Sequence, residues 1–206
     1  LNFLGFNNLL ALRGDPVSGQ KRFAPEPGGH VHANELVEQI VNMNQGQFLN
    51  PSLKNTTHSD FSIGVAGYPE KHYESPNMEK DIYWLKNKVD TGADYIVTQM
   101  FFDNEKYFRF VEKCREAGIT VPIIPGLKPI STFNDVNLIP RAFHIDIPFE
   151  LCREVDKCEN KQQVREVGVE WTINQARELK KYGVPALHFF TLGQSDNIRK
   201  IASQVF

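Results

Sequence analysis

The chain has 206 residues, of which 41% are hydrophobic, and a formal net charge of −2. This hydrophobic content predicts a folded core and excludes an intrinsically disordered chain. The near-neutral charge provides no basic field for nucleic acid, and no apolar run approaches the ~18 residues of a membrane span. We therefore expect a single domain over residues 1–206, or part of a larger one, without nucleic-acid or membrane partners.

The chain has three cysteines, Cys114, Cys152 and Cys158. This small, odd number argues against a disulfide framework. No charged-then-apolar segment typical of a secretory signal opens the sequence. These features favour a reducing compartment, and we expect a cytoplasmic protein. The cysteine spacing is not that of a zinc site, so we predict no metal. The chain begins with Leu1 and not Met, from which we expect a start that has been cut short.

Short apolar runs alternate with longer amphipathic runs along the chain. In chain order the apolar runs predict five strands, at residues 8–12, 61–66, 95–99, 121–125 and 186–190. The amphipathic runs predict helices at residues 35–43, 80–91, 105–117, 161–182 and 195–205, and Ser131 is predicted to cap a further short helix. The prolines of the fourth run, Pro122 and Pro125, are expected at the ends of its strand because proline donates no backbone hydrogen bond.

This βαβα order with continuously apolar strands is typical of a parallel sheet covered by helices. No glycine-rich dinucleotide fingerprint or phosphate-binding loop stands at a strand-to-helix turn. In a (βα)8 barrel the active-site groups lie on the loops after the strands. Polar and aromatic residues follow every predicted strand here, at 13–15, 68–72, 99–103, 126–129 and 191–194, and this recurrence favours a functional mouth over solvated loop tips.

Five sequence motifs occur in the same order as in methylenetetrahydrofolate reductases, and the chain resembles that family over nearly its whole length. The motifs are LLALRGDP at 9–16, AGYPEKH at 66–72, KNKVDTGAD at 86–94 followed by TQMFFD at 98–103, IPGLKP at 124–129 and HFFTL at 188–192. The resemblance implies an α/β fold, a (βα)8 TIM barrel of which this chain covers roughly the last five βα units. It also implies an upstream FEFFPP-like segment, absent from these residues, whose glutamate serves as the general acid.

The family resemblance implies an FAD site built from eight residues. These are Arg13, Gly14, Asp15, Ala33, Tyr68, His72, Asp81 and Lys88. Asp15 is expected near the pyrimidine end of the flavin, where a carboxylate disfavours negative charge on the reduced ring. Asp81 and Lys88 lie seven residues apart on one predicted helix, therefore on one face, and are expected to bind adenosine hydroxyls and phosphate.

The resemblance assigns catalytic roles to Asp15 and Gln99. An amide offers both donors and an acceptor, which suits the mixed edge of a pterin ring. Substrate contacts are expected from Asp15, Gln99, Phe190, Leu192 and Gln194. The chain also departs from the family pattern. His32 and Phe190 replace tyrosines, Trp84 replaces an asparagine, and Gln194 stands where many members carry an arginine for the folate glutamate tail, a role that Lys128 or Arg199 could take.

The implied reaction is ping-pong: NADH or NADPH reduces FAD, and the flavin then reduces 5,10-methylenetetrahydrofolate to 5-methyltetrahydrofolate. This is a step of one-carbon metabolism and methionine biosynthesis, and the full-length enzyme is expected to be a homo-oligomer. Two alternatives stay open. One is another FAD barrel, such as a proline dehydrogenase, and the other is a non-catalytic fragment that retains part of a cofactor site.

Overall fold

Five parallel strands form the framework of the structure, a computed structural model that describes residues 2–16, 19, 23–193 and 195–206. They are β1 (Asn8–Ala11), β2 (Ser62–Gly67), β3 (Tyr95–Met100), β4 (Ile123–Leu127) and β5 (His188–Phe189). Each strand pairs with the next one along the chain, and all four pairings are parallel. The sheet is therefore a half-barrel, compatible with a TIM-barrel-like fold.

In the described residues, seven α-helices connect and follow the strands. They are α1 (Ala33–Asn44), α2 (Met78–Thr91), α3 (Asn104–Glu116), α4 (Asp135–Phe143), α5 (Phe149–Asp156), α6 (Lys161–Tyr182) and α7 (Asp196–Val205), and a short 3₁₀ turn, Asn2–Leu4, precedes β1. The predicted elements are confirmed to within three residues at each end, and α6 matches its predicted range. The helix α5 was not predicted, because its eight residues are too short for a clear amphipathic period.

The fourth strand begins two residues later than predicted and contains Pro125, which was wrongly expected at a strand end. The register of β3 against β4 shifts between Val97 and Met100, so two β3 residues face Pro125. An irregularity of this kind tolerates a residue without a backbone N–H. The Thr98 hydroxyl accepts the N–H of Gly126 at 2.9 Å, which satisfies the donor that the shifted ladder leaves over.

The predicted cap Ser131 does not begin a helix, since α4 starts four residues later. The backbone N–H of Ser131 instead donates to the Asp135 carboxylate at 2.8 Å, and the Thr132 hydroxyl donates to the same carboxylate at 2.6 Å. The Asp135 carboxylate thus orders the turn that precedes α4. From the sequence alone, serine and aspartate are equally good candidates for such a capping role.

Two buried clusters fill the space between the sheet and its helices. The larger one joins strand residues such as Val65 and Ile96 to the inner faces of α1, α2, α3, α6 and α7. The smaller one packs α4, α5 and the first half of α6 beside the end of β3 and the turn after β4. Gly168 of α6 lies directly against the backbone of Ile130, and a Cβ atom at this position would lie 2.0 Å from the Ile130 carbonyl oxygen.

This close approach predicts whether a substitution at Gly168 stabilises or destabilises the protein. Gly168→Ala should destabilise the protein by about 1–3 kcal/mol, because the added methyl group meets backbone that cannot move without displacing the turn after β4. Alanine in a helix free of such contact would instead stabilise it by up to ~1 kcal/mol. Urea unfolding of wild type, Gly168→Ala and the exposed-face control Glu170→Ala would measure the effect. A more stable Gly168→Ala variant would contradict the packing described.

Candidate functional site

Two adjoining cavities lie at the carboxyl ends of the strands, where all parallel strands end at one edge of the sheet. The first, which we call the lateral cavity, has a volume of about 410 Å³ and lies between the ends of β1 and β2, the start of α1 and one face of α2. The second, the central cavity, has a volume of about 260 Å³ and reaches across the ends of β3 and β5. They share five lining residues: Leu12, Arg13, Ala66, Tyr68 and His72.

The predicted site residues divide between these cavities. Ala33, Asp81 and Lys88 line the lateral cavity, and Arg13, Tyr68 and His72 line both. The central cavity is lined by Gly14, Asp15, Gln99 and Phe190. Leu192 lines a third cavity, of about 190 Å³, beside the central one. Gln194 lies outside the described residues, so its predicted substrate contact stays a prediction.

Lys88 is a partly buried cation that lines the lateral cavity. Its Nζ atom donates to the backbone carbonyl of Ala66, the last but one residue of β2, at 2.6 Å. Burial lowers the pKa of the Lys88 ammonium to about 8, and the negative charge of Asp81 opposes this effect. Lys88 therefore holds a charge in a place where water solvates it poorly, and an additional anion in the cavity would stabilise that charge.

Asp81 orders the loop that follows β2. Its carboxylate accepts the backbone N–H of His72 at 3.1 Å and the hydroxyl of Ser75 at 2.6 Å. Because Asp81 is in the first turn of α2, it also suits the positive end of the helix dipole. The same residue that was predicted to bind a ligand thus first fixes the position of His72.

The loop after β2 presents an aromatic group to both cavities. The rings of Tyr68 and His72 meet edge to face at 4.7 Å, and Tyr73 lies 4.7 Å from both His72 and His144. Burial, and secondarily the charge of Asp81, raises the pKa of Tyr68 to about 12. Burial lowers the pKa of His72. At neutral pH these side chains are therefore a protonated phenol and a largely neutral imidazole, which are hydrogen-bonding groups without charge.

Arg13 joins the loops after β1 and β2. Its guanidinium lies 2.7 Å from the Glu74 carboxylate, and this hydrogen bond is the main cause of the lowered pKa of Glu74. The adjoining Gly14 has a φ of 87°, a conformation that glycine adopts without strain. The turn at Gly14 lets Asp15 follow Arg13 along the rim of the central cavity.

A second ionic group connects the loop after β2 to two other elements. The Glu70 carboxylate accepts hydrogen bonds from Lys106 of α3 and from the backbone N–H of Asp146, the latter at 3.0 Å. Lys106 also lies 2.6 Å from the Asp146 carboxylate. Burial raises the pKa of Glu70. This triad fixes the segment before α5 beside the loop after β2, close to Phe143 and His144 on the wall of the central cavity.

Gln99 occupies the last but one position of β3. Its side-chain oxygen accepts the backbone N–H of Met100 at 2.9 Å, so the amide caps its own strand end. Within the described residues its NH2 group makes no hydrogen bond to protein, and that group lines the central cavity beside Phe190. The fixed oxygen orients the amide and leaves two donors for a ligand.

Lys80 and His144 were missed as lining residues, and His32 and Trp84, which the sequence marked only as departures from the family pattern, also line the lateral cavity. His32 and Trp84 present nearly parallel rings, with centroids 6.5 Å apart, at the outer end of the lateral cavity. Lys80 lies 5.0 Å above the Trp84 ring. His144, the left-handed residue that ends α4, lines the central cavity. The spacing of Lys80 and Trp84 on α2, four residues apart, was a usable signal, whereas His144 follows no strand and carried none.

The described residues contain neither a membrane-spanning helix nor a candidate metal site. No helix in this part of the chain combines the length and the apolar character that crossing a bilayer requires. Among the same residues, no three histidine, cysteine or acidic side chains lie close enough together to hold a metal ion.

The chain matches a family model and several characterised relatives. Residues 2–205 match the model for methylenetetrahydrofolate reductase. Methylenetetrahydrofolate reductase (NADH) 1 of Zea mays is 35% identical over 198 residues, which cover 91% of this chain and 31% of the relative. The 5,10-methylenetetrahydrofolate reductase of Escherichia coli is 33% identical over 193 residues, which cover 93% of this chain and 58% of the relative.

A solved structure supports the fold. It is described as an uncharacterized protein from Clostridium thermocellum that binds two copies of 5-methyl-5,6,7,8-tetrahydrofolic acid, and it matches 91% of this chain and 63% of its own length. The TM-score is 0.50 and the identity is 19%, so the likeness concerns the fold alone. The family model spans nearly all 206 residues, and on that evidence the chain belongs to the methylenetetrahydrofolate reductase family.

Proposed function

We propose that this chain is the catalytic region of an FAD-dependent methylenetetrahydrofolate reductase that uses NADH or NADPH. It would form a single domain that supplies the last five βα units of a (βα)8 barrel. The observation that carries the proposal is the pair of joined cavities at the carboxyl edge of the sheet. The lateral cavity is lined by the partly buried cation Lys88, and the central cavity by the Asp15 carboxylate and the oriented amide of Gln99. The three cysteines are free thiols, which favours a cytoplasmic setting.

The lateral cavity fits the dinucleotide part of FAD. Lys88 is a partly buried ammonium that donates to the carbonyl of Ala66, and an anionic phosphate would offset the cost of its desolvation. Asp81 retains acceptor oxygens for hydroxyl groups, and the rings of His32 and Trp84 provide apolar faces at the outer end. Ala33 at the start of α1 leaves room for close approach of a planar group.

The central cavity fits the reacting rings. FAD, when bound, supplies the hydride chemistry. Asp15 on the rim would disfavour negative charge beside it and so raise the energy of an anionic ring. The NH2 group of Gln99 would orient the folate ring, and Phe190 would pack on its face. The rings of Tyr68, His72 and Tyr73 lie beside the bound rings in the central cavity and would limit the access of water to them.

Lys88→Met tests the proposed phosphate contact. Methionine keeps the length of the side chain and removes its charge, so FAD affinity should fall about tenfold or more, the factor typical of a lost charged hydrogen bond. Titration of FAD followed by its absorbance would measure the dissociation constants. Lys86→Met on the same helix, where Lys86 pairs with Asp90 at the surface, is the matched control and should leave FAD affinity unchanged. Equal affinities for wild type and Lys88→Met would exclude the phosphate role.

The same lysine predicts a pH dependence of FAD binding. The Lys88 pKa is about 8 without ligand, and a bound phosphate raises it, so binding above pH 8 requires uptake of a proton. FAD affinity should therefore be constant below about pH 8 and fall by up to about tenfold per pH unit above it. Titrations between pH 6.5 and 9.5 would show this slope in wild type and a flat profile in Lys88→Met. A slope that persists in the variant would assign it to another group.

Gln99→Leu tests the folate contact separately from the flavin. Loss of the oriented NH2 group should lower kcat/KM for methylenetetrahydrofolate by about 10- to 100-fold, the range for one or two hydrogen bonds in a buried site. FAD affinity should change much less, because the dinucleotide part of FAD is proposed to bind in the lateral cavity, which Gln99 does not line. Steady-state kinetics on the FAD-saturated protein would test both statements, with Gln204→Leu on exposed α7 as the control. Unchanged kinetics in Gln99→Leu would remove Gln99 from the proposed mechanism.

A further inference from the structure

Glu74 contacts two of the proposed flavin residues, although the proposed mechanism gives it no role. It lies in the loop after β2 and lines the lateral cavity. Its carboxylate lies 2.7 Å from the Arg13 guanidinium and accepts the hydroxyl of Tyr73 at 3.2 Å. Its backbone N–H donates to Nδ1 of His72 at 3.2 Å. The side chain of Glu74 is therefore held by two partners, while the backbone of the same residue meets the imidazole ring.

The contact with the Glu74 N–H determines which nitrogen of His72 carries the proton. A neutral imidazole has one N–H donor and one bare acceptor nitrogen. Because Nδ1 accepts the backbone N–H, it is the bare nitrogen, and the proton is on Nε2. The opposite tautomer would place an Nδ1–H against the Glu74 N–H and leave both donors without an acceptor. Burial lowers the pKa of His72, so the ring is largely neutral at neutral pH.

Other contacts of His72 hold the ring in place without using Nε2. The ring of Tyr68 meets it edge to face and the ring of Tyr73 lies tilted beside it, each at 4.7 Å. The backbone N–H of His72 donates to Asp81 at 3.1 Å. Within the part of the chain that the structure describes, Nε2 has no hydrogen bond to protein, and His72 lines both the lateral and the central cavity. The Nε2–H group is thus the donor left for a ligand where the two cavities meet.

We propose that Glu74 is a positioning residue that fixes His72 as the Nε2–H tautomer, so that the imidazole donates a hydrogen bond to an oxygen of the ligand where the two cavities meet. The inference rests on the proposed function, which makes that ligand FAD and the acceptor a hydroxyl or phosphate oxygen. The Arg13 ion pair and the Tyr73 hydroxyl keep the Glu74 backbone in line with Nδ1. Glu74 acts on FAD through the imidazole and not by its own charge, since a carboxylate repels a phosphate.

Nitrogen NMR of the isotope-labelled, ligand-free protein tests the tautomer without any cofactor. Long-range proton–nitrogen correlations distinguish the two tautomers of a histidine, and the signals of His72 are those missing from His72→Gln. We expect a bare Nδ1, a protonated Nε2, and a scalar coupling across the hydrogen bond between Nδ1 and the Glu74 amide nitrogen. Glu74→Pro removes the N–H and should give a mixture of tautomers. Glu74→Ala, the matched control, keeps the N–H and should retain the Nε2–H tautomer.

Three results would overturn the positioning role. They are a protonated Nδ1 in wild type, an unchanged tautomer in Glu74→Pro, and the absence of the coupling to the Glu74 amide. Thermal unfolding of each variant checks that it folds. Should Glu74→Pro not fold, the coupling in wild type decides. Affinity is the weaker readout for Glu74, because an equal mixture of tautomers halves the binding-competent population and costs only about twofold.

Titration with FAD tests whether the ligand uses the Nε2–H donor. The amide nitrogen of glutamine can reach the position of Nε2, so His72→Gln should retain FAD affinity to within about threefold. Methionine is of similar length without a donor, so His72→Met should lose about tenfold. If wild type binds FAD and both variants bind it equally well or equally poorly, the Nε2–H contact is overturned while the FAD site stands. If wild type binds no FAD, the proposed function fails and the ligand contact with it, whatever tautomer the NMR finds.

Discussion

The parallel pairing of β1 through β5 is the constraint on which the site depends. Parallel strands must all end at one edge, so the residues that follow them meet there although they are far apart in sequence. Asp15, His72 and Gln99 come from the ends of three consecutive strands and line one central cavity. No single helix or loop brings these groups together. A change that shifts one strand by a residue would therefore misplace its contribution to the site more than it would weaken the core.

The loops at the carboxyl edge of the sheet are connected to one another by ion pairs. Arg13 and Glu74 join the loops after β1 and β2, and Glu70, Lys106 and Asp146 join the loop after β2 to α3 and to the segment before α5. Loops alone would be the least ordered part of a fold of this kind. These contacts, partly removed from water, fix side chains that the strands merely bring near. The strand pairing of the sheet brings these residues together, and the local ionic contacts then fix their positions.

Much of this arrangement could be predicted from the sequence, since continuous apolar runs identified every strand of the described residues and amphipathic runs identified five of the helices. The eight proposed flavin contacts were also found to line the two adjoining cavities, because each stands just after a strand, at the start of α1 or on one face of α2. What escaped prediction depends on distance in three dimensions. Pro125 inside β4 required knowledge of the register shift against β3, and His144 reaches the central cavity only through the path of α4.

Buried charge gives the clearest contrast between structural and functional roles in this chain. Glu70 has a lysine partner and a backbone donor close at hand, so its burial is compensated within the protein. Lys88 and Lys128 are compensated less well: one donates to a backbone carbonyl and the other has two contacts at 3.4 Å. Desolvation of an ammonium group that has few hydrogen-bond partners costs free energy of folding, and both lysines line cavities. A fold that needed only stability would gain from a neutral side chain at either position. An anion in the lateral cavity would recover part of this cost for Lys88, which is the physical reason for proposing a phosphate there.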